Sequence, residues 1–81
     1  MDFAKEQLFH QLSLGRELEF HLGSRAYFIG PTSEGKGHSL HCETSQQILF
    51  TGTLEELFSY VFPGGYSLKE HFSEFQIDYL L

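Results

Sequence analysis

The chain begins with a hydrophobic pattern of helical period. Ala4, Leu8 and Leu12 recur at intervals of four residues. Residues at i, i+4 and i+8 lie on one side of an α-helix. The pattern therefore predicts a helix over residues 3–13, and Asp2 is placed to cap its first turn.

A period of two follows in the run RELEFHL, where polar and apolar residues alternate. Alternation of this kind is typical of a strand with one apolar face. The Gly-Ser dipeptide at residues 23–24 is a two-residue connection of the type that closes a hairpin. If this turn sets the register, Phe20 lies opposite Tyr27 and Leu18 opposite Ile29, all on one face.

Residues 30–37, with the sequence GPTSEGKG, have the composition of a loop. The runs HSLHCE and QQILFT follow and indicate two further short strands, which are joined near residues 44–45. Together with the hairpin, these strands predict a four-stranded antiparallel meander.

Two capping boxes open the C-terminal part of the chain, Thr53 with Glu56 and Ser67 with Glu70. Each precedes a helical stripe, and a Pro-Gly-Gly sequence separates the two. The stripe of the first helix comprises Leu54, Leu57, Phe58 and Val61, and that of the second Leu68, Phe72 and Phe75. The last residues, QIDYLL, form an extended tail that is either a final strand or a segment packed on the core.

The pattern predicts a single α+β domain over residues 1–81. It comprises an N-terminal helix, the four-stranded antiparallel meander, two short C-terminal helices and the extended tail. We expect the helices to cover one face of the sheet. The other face, at least partly exposed to solvent, would carry Glu19, His21, Ala26 and Phe28.

Composition limits the classes of function. The 81 residues carry eleven acids and five bases, a formal charge of −6, and the bases are scattered. Direct nucleic-acid binding requires clustered cations and is therefore not expected. An acidic phage-type inhibitor that mimics DNA is an alternative, and it requires carboxylates spaced along one face.

The single cysteine excludes an internal disulfide and suits a reducing compartment. The N-terminus has no signal-peptide pattern, and no apolar run is long enough to span a membrane. These features indicate a cytoplasmic protein without membrane contact.

The run GPTSEGKG matches most of the phosphate-binding loop G-x-x-x-x-G-K-[ST]. Its last position is Gly37, so the hydroxyl that holds magnesium is missing. The residues that follow have no helical stripe, although such a loop must open a helix. We therefore interpret the run as a connection between strands, with Lys36 an ordinary exposed lysine.

The run HSLHC holds three potential metal ligands, His38, His41 and Cys42. Residues three apart on a strand point to opposite faces, so the two imidazoles diverge, and His21 or an acid would have to complete a site. Cys42 is also a potential nucleophile, but His41 points the other way unless another histidine approaches from a neighbouring strand. We expect no metal, no cofactor and no catalytic residue; a small His/Cys metal-binding protein is an alternative.

Aromatic residues make up 16% of the chain, more than the core of so small a domain needs. Exposed aromatic patches often mark protein contact surfaces. The candidate contact residues are Phe28, Tyr60, Phe62 and Tyr66. In the alternative interpretation, Phe62 and Tyr66 brace the corner between the two C-terminal helices.

Four stretches carry a resemblance to known proteins: residues 15–20 (GRELEF), 27–29 (YFI), 53–57 (TLEEL) and 65–70 (GYSLKE). From about residue 14 to the end, the chain resembles a group of short proteins of unknown function in Gram-positive bacteria and their prophages. Their pattern is a GREIEF strand, a YxI strand, a helix of the SxEEL type and a closing GxSLKE…IDY segment. The resemblance implies a small α+β fold and an origin on a mobile element, and it implies no catalytic or binding residue.

The sequence favours a small accessory protein that is not an enzyme and acts by binding an unidentified protein partner. We expect a monomer or a weak homodimer. An edge strand, such as residues 38–43 or the tail, is a place where a second copy can pair.

Overall fold

The computed structural model describes residues 4–33 and 37–81 of the chain. The expected Asp2 cap and Lys36 lie outside these residues. Within them, the elements in chain order are α1 (Lys5–Ser13), β1 (Leu18–Leu22), β2 (Arg25–Pro31), β3 (His38–Cys42), β4 (Gln47–Gly52), α2 (Leu54–Phe58), a 3-10 turn (Phe72–Glu74) and β5 (Gln76–Leu80).

The strands form one antiparallel sheet in the order β4-β3-β2-β1-β5. The α+β class, the N-terminal helix and the antiparallel sheet are confirmed. The prediction of four strands is wrong, because the C-terminal tail is a fifth strand that pairs with β1. Residues 38–42 are paired on both sides, so the outer strands are β4 and β5.

The first hairpin has the register that its turn predicts. Leu18 lies opposite Ile29, and Phe20 opposite Tyr27. Gly23, at the first turn position, has a φ of 60°. Glycine adopts this conformation without steric cost, and in a two-residue turn it twists in the same sense as the strands. Local chemistry alone thus fixes the two strands at the centre of the core.

The first C-terminal helix is shorter than its apolar stripe indicates. α2 begins after Thr53, whose hydroxyl accepts a hydrogen bond from the Glu56 N–H at 3.1 Å, and it ends at Phe58. The chain then runs extended, so Val61 is 63% exposed while Phe62 is 1% exposed. The expected position of Val61 on the buried stripe is therefore wrong.

The second predicted C-terminal helix is absent from the described residues. The Ser67 hydroxyl does accept a bond from the Glu70 N–H at 3.2 Å, but only one turn forms before the 3-10 turn. The Lys69 N–H donates to the Phe58 carbonyl at 2.9 Å, which ties this turn to the end of α2. Short helices are marginal by themselves, so such tertiary bonds decide the local path.

Phe62 lies at the centre of an aromatic cluster on the covered face of the sheet. Its ring centroid is 4.9 Å from that of Tyr27, 5.0 Å from Phe75 and 5.1 Å from Tyr60, all near edge-to-face. This geometry is favourable for aromatic pairs beyond the area they bury. The cluster joins the sheet to the segment between α2 and β5.

The capping box of α2 gives a pH-dependent prediction. The Thr53 N–H donates to Glu56 Oε1 at 3.0 Å, and this bond, followed by that with the Thr53 side chain, holds the pKa of Glu56 below its ordinary value of 4.5. The ionised carboxylate therefore stabilises the folded state above the ordinary pKa, and that contribution is lost as the pH falls through the lower folded-state pKa. We expect Glu56→Gln to reduce stability at neutral pH by an amount that disappears on acidification.

Denaturant unfolding of the wild type and of this variant over a range of acidic pH values measures the effect. Glu55→Gln is the matched control, since the structure shows no bond from that carboxylate to Thr53. A loss of stability in Glu56→Gln that is constant with pH would contradict the assignment.

Candidate functional site

The phosphate-loop resemblance does not correspond to a phosphate-binding structure in the described residues. β2 continues to Pro31, which lies opposite His38 in the antiparallel β2–β3 pair. The Thr32 N–H donates to the Gly37 carbonyl at 3.1 Å. A strand follows Gly37 where a phosphate-binding loop requires a helix. The interpretation as a connection between strands is supported on both sides of residues 34–36.

The candidate metal ligands have separate partners. His38 Nε2 donates to the Leu12 carbonyl at 2.9 Å and ties β3 to α1. His41 Nε2 lies 2.9 Å from Ser39 Oγ, and His21 Nδ1 lies 2.9 Å from Asp78 Oδ2.

No group of three ligating side chains occurs among residues 4–33 and 37–81. His41 and Cys42 point to opposite sides of β3, as alternation predicts. Cys42 belongs to the core, whereas His41 lies on the other face.

Cys42 combines an ionisable thiol with burial. Hydrogen bonds from the Ser45 side chain, and from the backbone N–H groups of Ser45 and Thr44, lower the pKa of the thiol. The residue is nevertheless 2% exposed, so reagents cannot reach the sulfur in the folded state. We expect alkylation by iodoacetamide to be at least about tenfold slower in the native protein than in the denatured protein.

Mass spectrometry of the alkylated protein over time measures this difference. Ser45→Ala is a second variant, expected to raise the thiol pKa in ultraviolet titration without exposing the sulfur. Equal alkylation rates in native and denatured protein would show that Cys42 is accessible.

The four aromatic contact candidates do not form one patch. Phe62 is buried in the core, so its expected exposure is wrong, and Tyr60 packs beside it. Tyr66 is more exposed and lies edge-on to His71, with centroids 5.5 Å apart. An isolated bridge joins Phe62 and Tyr66 across the Pro-Gly-Gly turn, but the corner between two helices that they were expected to brace does not form in the described residues. Phe28 lies on the opposite side of the sheet.

The side of the sheet that faces away from the helices is a candidate binding surface, here called the open face. The strand registers align one residue from each strand across it. From β4 to β5, this transverse row is Ile48, His41, Phe28, Glu19 and Tyr79. Ile48 is 68% exposed and Tyr79 is 62% exposed, so both ends of the row are open to solvent.

The centre of the open face is aromatic and shallow. The Phe28 ring lies along its own strand over Gly30, where an added Cβ would meet Phe28 Cε1 at 2.9 Å. The ring also packs against His41, with centroids 5.9 Å apart. Beside them is a depression of about 540 Å³, lined by Phe28, His41, Cys42, Glu43 and Gln46. Because residue 30 is glycine, the Phe28 ring can lie close against the backbone of the sheet.

The two residues at the ends of the transverse row could not be identified as site residues from the sequence. Ile48 and Tyr79 are single apolar residues in strands whose facing is set by bulges, one between Leu40 and His41 and one between Glu19 and Phe20. Their presence in one row with Phe28 depends on the order of strands, which local patterns do not contain. The signal available in the sequence was the alternation of β1 and β2 with the register of their turn, which placed Glu19 and Phe28 on this face.

The carboxylates of the described residues lie on both sides of the sheet. Glu17 and Glu19 belong to the open face, whereas Glu55 and Glu56 lie on α2. A DNA mimic requires carboxylates along one face, so this distribution provides no observation in favour of that alternative.

A cleft of about 370 Å³ lies on the helical side, between α1 and α2. Phe9 and Phe58 form its apolar wall, with ring centroids 5.2 Å apart. Lys5 and Lys69 on its rim are balanced by two carboxylates, Glu6 and Glu55, and Lys5 Nζ already donates to the Lys69 carbonyl at 2.8 Å. This mixed rim selects no single class of ligand.

Within the described residues, no helix has the length and apolar character needed to cross a lipid bilayer. Comparisons of the chain with family profiles, curated protein sequences and solved structures gave no match. What can be said of its function therefore comes from its own surfaces.

Proposed function

We propose that this chain is a small, non-catalytic cytoplasmic protein that acts by binding another protein molecule through its open face. The observation that carries the proposal is the transverse row across all five strands, with exposed Ile48 and Tyr79 at its ends and Phe28 at its centre. Aromatic and apolar groups surrounded by polar ones are typical of contact surfaces.

The polar groups of the described residues also support a binding role. The three candidate histidines each have one hydrogen-bond partner within the chain, and Cys42 is buried. The open face instead presents a flat sheet with two exposed apolar residues, an aromatic centre and a carboxylate. Such a surface suits a complementary protein surface better than a small ligand, which requires a concave pocket.

Site-specific photo-cross-linking in the native host tests the proposal. A photo-reactive benzoylphenylalanine is placed at Tyr79 or Ile48, and in a control protein at Val61, which is equally exposed but lies on the helical side. We expect a protein adduct from positions 79 and 48 and at least about tenfold less from position 61.

The adducts are identified by mass spectrometry, so a second copy of the chain and a different protein are both recognised. Equal adduct yields from position 61 and from the open face would overturn the proposal. A lack of adducts at both positions of the open face would overturn it as well.

A further inference from the structure

We propose that the open face binds a second copy of this chain, face to face, around a two-fold axis parallel to β2. This inference rests on the proposed function, since it names the occupant of the same surface. It is carried by the symmetry of the transverse row: β2 is the central strand of five, and Phe28 is the central residue of the row.

A two-fold axis along the central strand exchanges the strands in pairs. It places β4 opposite β5 of the second copy, β3 opposite β1, and β2 opposite itself. The axis also keeps the strands of the two sheets nearly aligned, as in packed β-sandwiches. An isologous contact of this type needs a surface that is complementary to itself.

The row has this self-complementarity. Under the two-fold axis, His41 faces Glu19 of the other copy, and the same contact occurs twice. Ile48 faces the Tyr79 ring, which joins an aliphatic and an aromatic group, and the two Phe28 rings meet at the axis. Within the described residues, no hydrogen bond or ion pair engages the Glu19 carboxylate, so it is available to an intermolecular partner.

The rows on either side of the transverse row agree with this arrangement. Glu43 continues the alternation of β3 and its N–H donates to the Ala26 carbonyl at 2.9 Å, while Ala26 lies opposite His21. The same axis therefore brings Glu43 towards His21 of the second copy, whose Nδ1 also pairs with Asp78 of its own chain at 2.9 Å. On the other side, Ser39, whose Oγ also lies 2.9 Å from His41 Nε2, comes to face Glu17.

The dimensions of the sheet indicate a weak dimer. Five strands about 4.8 Å apart and five residues of about 3.3 Å rise give a flat area of roughly 400 Å² per copy. Twice this area is below the roughly 1,200 Å² of stable complexes. Two copies, each with a formal charge of −6, also repel one another. The paired polar groups accordingly fix the register of the contact more than they add affinity.

Isotope-filtered NMR provides a direct test. In one molecule, Ile48 and Tyr79 are separated by four strand spacings, about 19 Å, so no Overhauser effect can connect them. In the proposed dimer the two side chains touch. We expect a filtered effect between the Ile48 methyl groups of one copy and the Tyr79 ring of the other at concentrations near 1 mM.

Charge exchange provides the second test. Glu19→Lys places two cation-forming groups opposite each other, and His41→Glu places two carboxylates opposite each other. We expect each variant alone to associate about tenfold more weakly than the wild type in sedimentation equilibrium. In an equimolar mixture, the introduced lysine faces the introduced glutamate while the original pair is kept, so association returns to the wild-type level or exceeds it.

Glu55→Lys on α2 is the matched control and should leave association unchanged apart from the smaller net repulsion. Circular dichroism establishes that every variant is folded. A wild type that is monomeric up to about 1 mM, a mixture without recovery, or dimers that lack the Ile48–Tyr79 contact would overturn the inference. An open-face adduct with a different protein, without self-association, would overturn the inference and leave the proposed function intact.

Discussion

Phe62→Ala is expected to lower the free energy of unfolding by about 3–5 kcal/mol. The ring is 1% exposed and lies within 6.1 Å, centroid to centroid, of Phe20, Tyr27, Tyr60 and Phe75. Truncation removes its apolar area from the core, leaves a cavity and abolishes four favourable aromatic contacts. Small domains are stable by only about 5–15 kcal/mol, so the variant should unfold at much lower denaturant concentration.

The neighbouring residue supplies the control. Val61 is 63% exposed, so Val61→Ala should change the free energy of unfolding by less than about 0.5 kcal/mol. Phe62→Leu, which keeps most of the apolar volume, should lie between the two alanine variants. If Phe62→Ala and Val61→Ala lowered the free energy of unfolding in urea by similar amounts, Phe62 would not be the buried residue of the segment after α2.

Ile77→Ala should cost about 2–4 kcal/mol of stability, although the residue lies in the outer strand near the end of the chain. Ile77 is 8% exposed because β5 pairs with β1 and turns this side chain into the core. A tail that lay loosely on the surface would lose much less on truncation. Urea unfolding monitored by circular dichroism measures the difference.

Tyr79→Ala is the matched variant in the same strand. Its side chain is on the open face and 62% exposed, so we expect a loss of less than about 1 kcal/mol. The two variants thus separate the structural side of β5 from the proposed binding side. Equal destabilisation by both variants would contradict the pairing of β5 with β1, which buries Ile77 and exposes Tyr79.

The two C-terminal apolar patterns show where sequence periodicity gave the wrong side chain. The stripe of the first helix assigned Val61 to the core, but α2 ends at Phe58 and the extended chain turns Phe62 inward. In the tail, Ile77, Tyr79 and Leu81 alternate, but the bulge between Glu19 and Phe20 lets only Ile77 reach the core. In both places a change in backbone path shifts the facing of every later residue.

The candidate site was accessible only in part from the sequence. Alternation in β2 placed Phe28 on the face away from the core, and alternation in β3 separated His41 from Cys42. The hairpin register also predicts Glu19 opposite Phe28. The other members of the transverse row could not be predicted, because they come from β3, β4 and β5 and their alignment depends on strand order and two bulges.

The sequence by itself determined the features that depend on neighbouring residues. The Gly-Ser turn and its alternating flanks set the first hairpin, and Thr53 with Glu56 set the start of α2. Only the tertiary structure decided the fifth strand, the burial of Phe62 and the positions of Ile48, His41 and Tyr79 in the transverse row. Each of these depends on contacts between residues that are distant in the chain, whose net stability comes from the whole core and not from any local propensity.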